Sequence, residues 1–534
     1  MNRSPFYLGL AHTELELASY TAVESGIDFD EPQCNLALTL WGSMEYPRLP
    51  SSFLAYLLSG IIATTLGHDT FKLYMYGPTK TNAALSGAVV SVYNAGQAIG
   101  SLCTGALADW ISRRWTIFVA ALFAIIGTAI QAGAMSIGML IAGRAIGGIA
   151  CGQLLSVVPI YIAEISPPTQ RGFLVGLQGM AIAIGFCVAN WIGYGGSFAM
   201  GDAQWRIPLA MQIPGALCLA IGVCFIPYTP RWLVQKDRVD DASRVLRSIH
   251  GDDDLVAQEL IQIGEQIHLE KLQVRVSWIA ALRQLFSRQY IRRTSTATFI
   301  LAMSQLSGSS VIQNFQNIFY AAVGFKGQQA LLISGVYGLM GVFGQAFYLF
   351  IVADRWPRVR TLSIGSVVLS VLIAVCMALS AVYGSADSTN LNGAHGAIAF
   401  IFIYSAAFAV FFNGTVWVVC SELFPFFLRS RGIAISVFFH SVVAIVLSQI
   451  TPVALAEVSW RYYSLFIATN LTAGLIYFFF LPETAGKSLE EVGELFGDVL
   501  ATDHIGDIDV AAKTSAVELE DIRHSPSSQG RSKV

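Results

Sequence analysis

The sequence predicts an all-α membrane protein of twelve transmembrane helices arranged as two six-helix bundles. Three observations lead there: an apolar composition, a series of membrane-length apolar windows, and an internal echo between the two parts of the chain. Of 534 residues, 54% are apolar and 13% charged, outside the range of an ordinary soluble domain. A helix needs about 20 mostly apolar residues to cross a bilayer. Windows of that kind fall at 53–76, 84–108, 115–135, 137–162, 173–195 and 207–227, then at 294–322, 329–353, 361–384, 396–420, 432–455 and 462–481.

Taken in order, residues 1–52 have neither the basic start nor the short apolar core of a cleavable signal. They read as a cytoplasmic N-terminal segment, with the first span as targeting signal. Residues 53–228 form the first six-helix bundle, and 229–292 are a polar cytoplasmic linker whose apolar spacing predicts short helices. The linker carries no nucleotide loop or metal cluster. Residues 293–482 form the second bundle. The polar, Ser-rich tail 483–534 reads as cytoplasmic and largely disordered.

The echo is specific. "GALADWISRRW" (105–115) returns as "FIVADRWPRVR" (350–360), "PIYIAEISPPTQRG" (159–172) as "VVCSELFPFFLRSRG" (418–432), and Pro227 as Pro482. Three echoes in one order, each about 250 residues apart, argue for two homologous halves with a site between them at mid-membrane. With both termini inside, the short inner loops hold eight Lys or Arg residues and the outer connections four, which obeys the positive-inside rule. Eight cysteines lie mostly within spans, without CxxC spacing, so neither a disulfide frame nor a metal site is expected. Asn-x-Ser/Thr matches at Asn413 and Asn470 fall inside spans and read as chance. The pairs Gly96 and Gly100, Gly143 and Gly147, and Gly148 and Gly152 read as close helix packing rather than a phosphate loop.

In "DWISRR" an acid ends a span and two arginines follow, and "DRWPRVR" repeats the construction. With "PIYIAEISPPTQRG", "TPRWL", "CSELFPFFLRSRG" and "PETAGKSLEEV", these residues resemble the sugar porter family of the major facilitator superfamily, its fungal members included, over about residues 50–495. The resemblance implies the major facilitator fold and alternating access, with the two halves locked on the cytoplasmic side by charges. Asp109, Arg113 and Arg114 would pair with Glu164 and Arg171, Arg231 keeps its motif position, and Asp354, Arg355 and Arg358 would meet Glu422 and Arg429. Ser112 and Pro357 stand where the family motif has Gly. Tyr228 stands where it has Glu, which predicts a thinner network in the first half.

A sugar site needs amides or hydroxyls and an aromatic plate. On the seventh span Gln305 matches the family pattern, while Ser304, Ser310, Gln313 and Asn314 hold site positions with other identities. Gln178 lies on the fifth span, followed by Gly179 where the family carries a Gln. Trp417 matches the stacking Trp, and His440 with Ser441 replaces an Asn-Trp pair, so the pocket should be wider than usual. Asp69 in "GHDT" and Arg144 in "GRAIGG" fit the family's candidate proton-coupling pair, with Lys72 in snorkelling reach of the outer end.

The expected function is import of a monosaccharide, a hexose foremost, as a proton symporter. The alternatives are a facilitative carrier, a disaccharide, polyol or quinate-like substrate, and a transporter-like sugar sensor. No enzyme chemistry, cofactor or nucleic-acid partner is expected. The expected partners are the sugar, protons and the lipid bilayer. The expected setting is a multi-pass monomer in the plasma membrane with both termini cytoplasmic.

Overall fold

In a bilayer every backbone N–H and C=O must be satisfied within the protein, so apolar windows of this length fold as helices. The computed structural model describes residues 60–78, 82–166, 171–250, 253–273, 283–322, 324–325, 327–353, 355–383, 391–425, 428–485, 492 and 496. Segment 1–52, the tail beyond 496 and Asp354 lie outside the described residues, and of Arg171 only the backbone is described. Every regular element among the described residues is helical.

Helical turns over 60–65 lead into α1 (Asp69–Tyr76). There follow α2 (Ala83–Trp110), α3 (Arg113–Ala132), α4 (Ile137–Ile165), α5 (Arg171–Gly196) and the pair α6 (Ala203–Ala210) and α7 (Gln212–Val223). Residues 229–292 hold α8 (Pro230–Gln235), α9 (Val239–His250) and α10 (Asp253–Gln273). The C-terminal set comprises α11 (Ile291–Leu306), α12 (Ser309–Ala322), α13 (Gln328–Phe347), α14 (Arg358–Tyr383), α15 (Leu391–Phe408), α16 (Thr415–Leu423), α17 (Arg429–Glu457) and α18 (Tyr463–Phe480).

Nine of these stretches, some joining two adjacent elements, are long and apolar enough to span a bilayer by length and composition. The other three predicted spans differ in ways that matter. The first breaks at Leu66–His68 and the seventh at Ser307–Gly308, so neither is one continuous helix. The second is the 28-residue helix α2, which carries Asn94 and Gln97 within its length. Gly308 sits at φ +94°, a conformation that favours glycine, and a Cβ there would lie 2.9 Å from Phe466. The Ser307 carbonyl at this break is satisfied by Tyr404 Oη at 3.0 Å and Asn470 Nδ2 at 3.1 Å.

The glycine pairs act as packing positions. A Cβ on Gly148 would sit 2.1 Å from the Tyr93 carbonyl, and one on Gly152 would sit 2.0 Å from that of Gln97, so α2 and α4 touch backbone to backbone. The two sets of helices meet along two main seams, α2 against α17 and α5 against α13.

Candidate substrate cavity and the charged end

Between the two sets lies a cavity of about 110 Å³. The break at Gly308 places Ser304 and Gln305 at the end of α11 and Ser310, Gln313 and Asn314 at the start of α12, and all five line it. Trp417 of α16 and His440 of α17 complete the wall predicted from sequence. Gln178 is the exception: it is buried in α5, is not a wall residue, and its amide has no hydrogen-bond partner among the described residues.

His440 fixes the local hydrogen-bond polarity. Its Nδ1 lies 3.0 Å from the Leu301 carbonyl, which can only accept, so the ring proton sits on Nδ1. Nε2 then accepts from Gln305 Nε2 at 2.6 Å. This leaves the Gln305 carbonyl Oε1 as a buried acceptor without a partner among the described residues. The Trp417 ring stands 6.2 Å from the imidazole.

Five polar wall residues were not singled out from sequence: Asn94, Gln97, Ser309, Ser405 and Asn413. Their signal was weak, because single amides and hydroxyls in apolar helices more often bond neighbouring helices. Asn94 does both, donating to Ser448 Oγ at 3.0 Å. Among the described residues the lining contains no Asp, Glu, Lys or Arg.

The two sets also touch toward both ends of the bundle. Toward the end bearing Asp69, Ser91 donates to Gln449 Oε1 at 2.9 Å, Gln316 to Asn190 Oδ1 at 2.7 Å and Asn317 to the Ala63 carbonyl at 2.7 Å. Toward the opposite, charged end, Arg431 meets Asp109 across the sets at 3.6 Å. Also on that side, Gln345 Nε2 donates to the Gly176 carbonyl at 3.3 Å, and Asn413 Nδ2 to the Gly179 carbonyl at 3.1 Å.

The predicted charge cluster gathers at that end. Arg113 pairs with Glu164 at 3.0 Å and Asp109 at 3.2 Å. Arg358 lies 4.0 Å from Glu422. Arg231 and Arg429 are buried there, and Arg355 is exposed. Arg114 takes another course: its guanidinium donates to the Cys224 carbonyl and stacks 5.1 Å from the Tyr228 ring. At the position of the missing carboxylate the Tyr228 ring stacks on Trp232 and lies beneath Arg114, so aromatic contacts stand there in place of a charge.

Asp69 and Arg144 are not brought together. The Asp69 side chain is 70% exposed and meets Lys72 at 3.7 Å. Arg144 is buried, with its guanidinium 4.0 Å above the Tyr93 ring and its Nε donating to the Val89 carbonyl at 3.4 Å.

A polar cavity between two sets of membrane-length helices, uncharged among the described residues, is the architecture of a carrier of small solutes. Residues 51–496 match the family described as Sugar (and other) transporter, and the chain belongs to that family. The MFS-type transporter criB of Aspergillus cristatus is 35% identical over 452 residues, 84% of this chain and 91% of that protein. The high-affinity glucose transporter of Kluyveromyces lactis is 28% identical, covering 82% of this chain and 81% of its own. The quinate permease of Neurospora terricola is 29% identical, covering 82% and 85%. Among solved structures, the proton:xylose symporter XylE bound to 6-bromo-6-deoxy-D-glucose superposes with a TM-score of 0.71 at 21% identity, over 84% of this chain and 98% of that one. This likeness shows the major facilitator fold.

Proposed function

We propose that the protein imports a neutral monosaccharide, a hexose foremost, by alternating access of two six-helix halves, 53–228 and 293–482, about the central cavity. The observation that carries this reading is the wall chemistry: amides and hydroxyls for a rim of sugar hydroxyls, Trp417 for a ring face, and no fixed charge among the described residues. A quinate-like acid would bury its carboxylate with no cation among the described wall residues to answer it, at a cost of several kcal/mol. The volume of about 110 Å³ is small beside the roughly 300–1,000 Å³ of drug-sized pockets and favours one ring over two. On this reading the contacts at the charged end form the cytoplasmic gate, both termini are cytoplasmic, and a monomer in the plasma membrane suffices. Radiolabelled uptake in transporter-null cells tests it: accumulation of a hexose with competition by others is expected, and uptake of quinate but of no hexose or pentose would overturn it.

For the driving force we propose proton symport through Asp69, which would leave Lys72 for Arg144 as the first span moves. The uncoupled carrier is the second reading, and the exposure of Asp69 beside Lys72 favours it. Substrate-dependent alkalinisation separates the two. Under symport, Asp69→Asn abolishes it while leaving counterflow exchange; if the wild type moves sugar without protons, the uncoupled reading stands.

A further inference from the structure

Asn413 is a wall residue that neither the motif pattern nor the charge networks account for, and its surroundings fix how it faces the cavity. It closes a π-helical turn, Ala409–Asn413, at the end of α15, and such wide turns re-aim a side chain out of the regular helical register. Across from it runs the glycine-bearing stretch of α5. Gly179 has no side chain, and a Cβ there would lie 2.6 Å from Gln345 Nε2. The amide of Gln345, at the end of α13, occupies that space.

Two backbone carbonyls of α5 decide the orientation of both amides, because a carbonyl oxygen can only accept. Gln345 must turn its Nε2 to the Gly176 carbonyl, 3.3 Å away, which points its Oε1 back toward α15. Asn413 must turn its Nδ2 to the Gly179 carbonyl at 3.1 Å, and the same nitrogen donates to Gln345 Oε1 at 2.9 Å. Both amide protons of Asn413 are then committed. The polar atom left for the cavity is the carbonyl Oδ1.

We propose that Asn413 is a specificity-determining wall residue that acts only as an acceptor, and that Gln345, which does not touch the cavity, is the positioning residue that sets this polarity. Asn413 therefore selects for a substrate hydroxyl that donates. The inference rests on the monosaccharide reading above and adds one residue-level rule to it: at one position of the ring, a group that only accepts is refused.

Deoxyfluoro sugars read this rule directly, because fluorine accepts weakly and cannot donate. The probes are the hexose or pentose that the wild type carries best, with its monodeoxy and monodeoxyfluoro derivatives as competitors of uptake. At the hydroxyl facing Asn413, both derivatives of the wild type's sugar should lose about tenfold in competition, as expected for one hydrogen bond in a dry site. Asn413→Ala and Gln345→Leu should both reduce that penalty to under about twofold at this position alone, and the double variant should match either single one. A merely structural role would lower uptake without changing the pattern of penalties around the ring. Should Gln345→Leu fail to fold, Asn413→Ala on the cavity wall carries the test. The proposal is overturned if Asn413→Ala relieves no single position, or if the fluoro derivative competes as well as the parent at the position it relieves. A wild type that carries no hexose or pentose would overturn the monosaccharide reading, and this inference with it.

Discussion

The two motif clusters at the charged end are echoes of one another, and they solve the same problem with different chemistry. In both, the arginine that opens a helix turns back to a carbonyl five residues earlier, Arg113 to Ala108 and Arg358 to Ala353. In both, it faces a glutamate from a neighbouring span, Glu164 or Glu422. The third partner differs. In the C-terminal set Glu483 accepts from the backbone N–H groups of Arg358 at 2.8 Å and Val359 at 3.0 Å, capping α14 with a carboxylate. In the N-terminal set the echoing position is Tyr228. It accepts from Trp115 Nε1 at 3.0 Å, stacks on Trp232 at 5.1 Å and lies beneath Arg114. With the carboxylate gone, the cap on α3 comes from Ser112 itself, whose Oγ accepts from the Trp115 N–H at 3.3 Å. A lost charge in a motif is thus not a lost contact: the work passes to whichever groups can reach the same backbone and guanidinium.

The largest expected break in this comparison is at the glutamates. Glu164 has a side chain 3% exposed against Arg113 at 4%, and removing one member of so buried a pair costs on the order of 3 kcal/mol. Glu422 is 16% exposed at a longer distance, so its loss should weigh less. Unfolding of detergent-solubilised Glu164→Gln and Glu422→Gln checks this. Equal losses would show that the echo is energetic as well as geometric.

Most of this asymmetry was legible in the sequence as identity and illegible as consequence. Tyr228, Ser112 and Pro357 stand out as departures from a repeated pattern, yet a sequence cannot say that Trp115 reaches the Tyr228 hydroxyl and Trp232 its ring. The cavity divides along the same line. The wall residues clustered on one span, Ser304 to Asn314, were readable because the break at Gly308 keeps sequence neighbours together around one surface. Asn94 and Gln97 come from α2 and Asn413 from the turn after α15, far apart in the chain, and only the meeting of those segments makes them one wall. Asp109 was legible as one of the charges of this end, but its bond across the sets to Arg431 depends on the α2–α17 seam.

A smaller effect tests whether the aromatic stack carries weight. Tyr228→Leu removes a stacked pair, a hydrogen bond and a cation–π contact, together about 1–2 kcal/mol at a half-buried site. Tyr228→Phe removes the hydrogen bond alone and should cost under about 1 kcal/mol. Glu483→Ala, which deletes the carboxylate cap of α14, should fall near 1 kcal/mol. If Tyr228→Leu proves neutral while Glu483→Ala is costly, the stack is only a neighbour and the N-terminal set does go without a third partner.

The smallest effect has the opposite sign. Ser112 holds φ at +93°, a region that costs a side-chain-bearing residue about 1–3 kcal/mol, and it does so at the position where the repeated motif calls for glycine. Its hydroxyl recovers part of that by capping α3. A glycine would release the strain, and it replaces a serine cap at a cost of only a few tenths of a kcal/mol. Its extra freedom in the unfolded chain takes back up to about 1 kcal/mol. The balance favours Ser112→Gly by under about 1 kcal/mol, read as a rise of about a degree in the unfolding midpoint. Pro357, the echoing position, donates no N–H and opens onto a helix capped from elsewhere by Glu483, so Pro357→Gly should destabilise instead. Opposite signs at two echoing residues would locate the strain in the self-capped helix. A loss at both would mean that the Ser112 hydroxyl holds more of α3 than its one hydrogen bond implies.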